Sequence, residues 1–116
     1  MDCDCIIVGG GIGGAVLALI LGRQERHVIL LERELRPPSR GRPEVLAGAT
    51  LEVFHKLGIG PRIEKEAAVP LEGLELYRAG GGRILSFGIS DFEAAGARLF
   101  STDPTRSREI LLEEAA

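Results

Sequence analysis

The chain has 116 residues, 45% of them hydrophobic, and a formal net charge of −3 at pH 7. That length suits one small domain with its own core, and the acidic balance leaves no basic footprint for nucleic acid. Asp2 and Asp4 stand where secretory and transit peptides carry basic residues, and the longest apolar stretch is residues 15–21, so a cytoplasmic protein without a transmembrane segment is expected.

Cys3 and Cys5 are the only cysteines. At i and i+2 of a strand they share a face, with a backbone too extended for a mutual disulfide. With only His27 and His55 to add as soft ligands, no metal site is expected, and the thiols read as structural.

Residues 6–32 read IIVGGGIGGAVLALILGRQERHVILLE. An apolar run, a glycine cluster, an Ala/Leu/Ile-rich segment, a second apolar run and an acid predict strand, tight turn, helix over 12–24, strand over 27–31, and then Glu32. The helix is apolar on nearly every side, which predicts burial all round. Gly9, Gly11 and Gly14 have the G-x-G-x-x-G spacing: the first for a sharp turn, the second for approach of a pyrophosphate to the backbone, the third for close helix packing. The helix start offers unpaired N–H groups and the positive end of its dipole to an anion. Glu32 is placed to accept hydrogen bonds from a ribose diol. The alternative is a strand-to-helix turn that binds nothing. His27, at the start of the second strand, is expected at an edge.

Residues 34–43, ELRPPSRGRP, predict an irregular loop. Arg33, Arg36, Arg40 and Arg42 gather positive charge just after Glu32, within reach of a diphosphate. Residues 44–57 have helical spacing, with Leu46, Ala49, Val53 and Leu57 along one stripe, His55 and Lys56 outward, and Gly58 as a stop. Residues 61–68 predict one or two further turns with Pro61 early. Residues 71–79 and 83–89 flank Gly80-Gly81-Gly82 and predict a β-hairpin, Leu74, Leu76 and Ile84 pointing inward. Residues 91–102 fit no element clearly. From Asp103 or Thr105 to Ala116 a terminal helix is predicted, with Pro104 favouring its start.

Residues 6–33 and 41–60 (GRPEVLAGATLEVFHKLGIG), with the hairpin and the final helix, resemble the N-terminal part of the FAD-dependent monooxygenases of the para-hydroxybenzoate hydroxylase type. The resemblance implies an α/β fold: a Rossmann-like FAD/NAD(P)-binding βαβ unit, a helix, a β-hairpin and a terminal helix, forming an incomplete domain. It implies FAD as cofactor, with Gly9, Gly11 and Gly14 at its pyrophosphate, Glu32 at the adenosine ribose, Arg42 entering the loop toward the cofactor, and Arg108 near FAD from the helix after the hairpin. Arg33 joins this set through its place beside Glu32. Relatives often place an amide or other hydrogen-bonding group toward the flavin at the position of Asp103, so an anion there is a departure.

The family's later Gly-Asp and Asp-Gly segments and most of its substrate domain are absent. Residues 1–116 are therefore expected to be part of an FAD-binding domain, its hairpin (about 71–89) reaching toward a substrate domain. The parent would hydroxylate an aromatic or similar small molecule with NAD(P)H and oxygen; a non-catalytic dinucleotide-binding module or another FAD-dependent oxidoreductase is the alternative. No catalytic residue is assigned, and neither substrate nor oligomeric state is legible. Lacking the next strand, the segment alone is expected to leave Ile110, Leu111 and Leu112 exposed, to be marginally stable, to bind FAD weakly at best and not to catalyse.

Overall fold

The computed structural model describes residues 2–34 and 42–116. In chain order the elements are β1 (Cys5–Val8), α1 (Ile12–Arg23), β2 (Val28–Leu31), β3 (Glu44–Ala47), α2 (Ala49–Lys56) and α3 (Gly60–Glu66). There follow β4 (Ala68–Pro70), β5 (Gly73–Tyr77), β6 (Arg83–Gly88), α4 (Ile89–Ala94), β7 (Leu99–Thr102) and α5 (Pro104–Ala115). Most of the loop expected over 34–43, with Arg36 and Arg40, lies outside the described residues.

The first three elements are the βαβ unit read from the sequence. β1 and β2 pair in parallel, from Cys5 with Val28 to Val8 with Leu31, and α1 makes the crossover between them. Only the alanines, leucines and Arg23 of α1 are strong helix formers, while Gly13, Gly14, Gly22 and the β-branched Ile12, Val16 and Ile20 are not, so α1 depends on its packing; Arg23 in its last turn faces the negative end of the dipole. Its burial is one-sided: Ala15, Ala18 and Leu19 are buried, whereas Leu17 is exposed. Cys3 and Cys5 are free and half-buried.

Residues 44–57 do not form the single predicted helix. Their first four residues are β3, and Gly48, with φ at 48°, turns the chain into α2. The cause is long-range pairing, since β3 lies antiparallel to β7 with Glu44 opposite Thr102. The Thr102 hydroxyl also donates to the Glu44 carbonyl at 3.1 Å. Such tertiary pairing outweighs local periodicity. The predicted stripe gives way accordingly: Leu51 and Phe54 are buried, while Val53 is 40% exposed. After α3, which carries Pro61 in its first turn, β4 pairs with the other side of β7, giving the strand order β3-β7-β4.

The hairpin forms where expected, Gly73 opposite Gly88, around the triple glycine. Its predicted inward face is not buried, however. Leu74 and Leu76 are exposed together with Leu85 and Phe87, the residues opposite them, and Ile84, also exposed, falls on the other face of the ribbon rather than on the predicted one. Alternation fixes which side chains share a face; burial also needs a covering layer.

The terminal helix starts on Asp103, whose carboxylate accepts the Thr105 and Arg106 N–H groups at 2.9 and 3.4 Å, with Pro104 in the first turn. This is an N-cap. Asp103→Ala is expected to cost about 1 kcal/mol, read from the denaturant midpoint; an unchanged midpoint would dismiss the cap. Contrary to expectation, Ile110 and Leu111 are fully buried and Leu112 packs against the same core. α5 lies along α1, which supplies the cover that the sequence reading sought in a further strand. The core joins Ala15 and Leu19 to Phe54, Ile59, Ile63, Ile110 and Leu111. At its rim Arg62 binds Glu66, Glu113 and Glu114 while Arg106 binds Glu66, Glu109 and Glu113, fastening α3 to α5.

Candidate nucleotide-binding site

The site is built where β1 turns into α1. The Gly9 N–H continues the parallel ladder onto the Leu31 carbonyl at 2.8 Å. Gly9 then takes φ of 102°, a conformation that a side chain rarely adopts. Gly14 is required for a different reason: a Cβ there would lie 1.9 Å from the Gly9 carbonyl oxygen. The helix therefore touches the turn backbone to backbone.

Gly11 is the N-cap of α1, and neither a side-chain cap nor an acidic residue occupies the first turn. Among the described residues, a Cβ at Gly11 or Gly13 would meet nothing within 4 Å. The open positions leave the first N–H groups of α1 accessible to an anion, with the helix dipole directed toward it.

Glu32 follows β2 and closes onto this turn. Its Oε2 accepts the Gly10 N–H at 2.7 Å, and its Oε1 accepts the Glu34 N–H at 2.8 Å. The Glu34 amide first, then the Gly10 amide, hold its carboxyl below the usual carboxylate range; partial burial opposes them and the Arg108 charge assists. Glu32 is thus an anion at neutral pH. A carboxylate offers about four lone-pair sites, so two backbone donors leave acceptor capacity for a diol. Beside it runs an open groove of about 590 Å³ lined by Val8, Gly9, Leu31, Glu32 and Arg33.

The structure brings Gly9, Gly11, Gly14, Glu32 and Arg108 together. The Arg108 Nε donates to the Gly10 carbonyl, and its Nη2 stands 3.7 Å from Glu32 Oε2. Arg33 lines the groove but is 92% exposed, 3.8 Å from the Glu34 carboxylate, a pair of little energetic weight. Arg42 is exposed just ahead of β3. Asp103 spends its carboxylate on capping α5, which accounts for an anion at that position without a flavin contact.

Gly10 escaped the sequence reading because it fills a variable position of the glycine spacing. Yet it is buried, and a Cβ on it would come within 3.0 Å of Leu30 Cδ2 and 3.1 Å of both Arg108 Nη2 and Glu32 Oε2. The run of three glycines was the available signal. The histidines serve elsewhere: the His27 ring meets the Asp2 carbonyl and the His55 ring meets Glu64, each at 2.8 Å. Among the described residues no helix is long and apolar enough to cross a membrane.

The FAD binding domain family matches residues 2–112. The chain belongs to that family. Among the similar proteins is the squalene epoxidase erg1 of Schizosaccharomyces pombe, 43% identical over 63 residues, which are 54% of this chain and 14% of erg1. Among solved structures, PqsL of P. aeruginosa in complex with 2-aminobenzoylacetate superposes with a TM-score of 0.76 at 31% identity, over 97% of this FAD-binding domain and 30% of PqsL. The flavin-dependent monooxygenase PieE, in complex with FAD and substrate, shares the fold at 24% identity with a TM-score of 0.77, over 99% of this chain and 22% of PieE. The FAD-binding domain thus spans less than a third of the relatives it matches. The resemblance to flavin-dependent monooxygenases, carried by residues 6–33 and 41–60 with the hairpin and the final helix, is borne out. FAD is the cofactor of this family, and the open glycine turn, the free helix start and the anionic Glu32 fit a dinucleotide.

Proposed function

We propose that this chain is the FAD-binding segment of a flavin-dependent monooxygenase that hydroxylates an aromatic or similar small molecule with NAD(P)H and oxygen. In this reading Gly9, Gly11 and Gly14 bring the α1 N–H groups to the FAD pyrophosphate, and Glu32 accepts the hydroxyls of the adenosine ribose. Arg33 and Arg42 add positive charge on the approach, and Arg108 stands behind the turn. The carrying observation is Glu32, an anion bonded to Gly10 at the very turn where α1 leaves its first N–H groups open.

Bound FAD would supply the redox chemistry. The chain's own residues hold the dinucleotide and choose it: an anionic Glu32 accepts ribose hydroxyls and repels a 2′-phosphate, favouring FAD over NADP at this site. A cytoplasmic location belongs to the same reading, since the free thiols Cys3 and Cys5 suit a reducing compartment. The hairpin is the element proposed to face a substrate domain. Its exposed Leu74, Leu76, Ile84 and Phe87 exceed what a solvated ribbon needs, and Leu74 and Phe87 join Phe92 and Leu99 around an apolar hollow of about 610 Å³.

In the whole protein, Glu32→Gln is expected to weaken FAD about tenfold, as the loss of a charged acceptor does, measured by titrating apoprotein with flavin. Unchanged affinity would remove Glu32 from the site. Phenol-stimulated NAD(P)H oxidation with hydroxylated product by mass spectrometry tests the reaction; FAD binding without turnover would leave a binding module.

A further inference from the structure

We draw no further inference here: the strongest candidate, the apolar face of the β5–β6 hairpin that Leu74, Leu76, Leu85 and Phe87 form beside the hollow at α4, repeats the substrate-domain contact already proposed, and nothing among the described residues shows what else covers it.

Discussion

A Gly14→Ala variant is expected to lose roughly 10–20 °C of melting temperature, the shift that about 3 kcal/mol produces in a domain of this size. The added methyl would sit 1.9 Å from the Gly9 carbonyl oxygen, 3.1 Å from its carbon and 3.4 Å from Ile7 Cγ2. The first contact is backbone on both sides, so no rotamer change relieves it. Either the Gly9 turn moves, breaking its 2.8 Å bond to Leu31, or α1 lifts from β1. Lifting α1 draws Ala15 and Leu19 away from Ile110 and Leu111 in the common core. Overpacking typically costs about 1–3 kcal/mol, and a backbone collision belongs at or above the top of that range. Thermal unfolding followed by circular dichroism checks this; a melting temperature within about 2 °C of wild type would show that the turn yields far more easily than its packing implies.

Gly11→Val is expected to do the opposite, abolishing flavin retention while leaving the fold in place. Gly11 has φ of −68° and ψ of −175°, an extended conformation open to a β-branched residue, and a Cβ there meets no atom of the described residues within 4 Å. That vacant space is where a pyrophosphate is proposed to approach the start of α1. Two methyl groups in it are expected to weaken FAD about a hundredfold or more, a loss of some 3 kcal/mol in binding. Flavin content of the purified protein and its melting curve are measured together. A soluble variant with normal flavin content would mean that the turn does not receive the cofactor. The two glycines, three residues apart, thus separate stability from binding.

The parts legible in the sequence are those with local causes. The βαβ unit follows from two apolar runs around a glycine spacing, the hairpin from three consecutive glycines, and the start of α5 from Asp103 and Pro104. β3 was hidden because its partner β7 is more than fifty residues away (Glu44 with Thr102), while its own residues continue the period of α2. β4 and β7 are short strands whose stability comes from that same sheet. Ile110 and Leu111 carry no local sign of their cover, because their partner is α1, about ninety residues earlier in the chain. At the site, the fingerprint glycines and Glu32 came from spacing. The role of Gly10 depends on a contact 98 residues away, which no local pattern encodes.

That contact also sets an order of events during synthesis. The βαβ unit leaves the ribosome before α5, so the face of α1 carrying Ala15 and Leu19 lacks its main cover until Ile110 and Leu111 arrive, and Gly10 has no guanidinium on its carbonyl until Arg108 does. At about 5–20 residues per second, the nascent turn waits on the order of 5–20 s with an apolar helix face uncovered. Flavin loading is therefore expected to follow emergence of α5 rather than of the glycine turn.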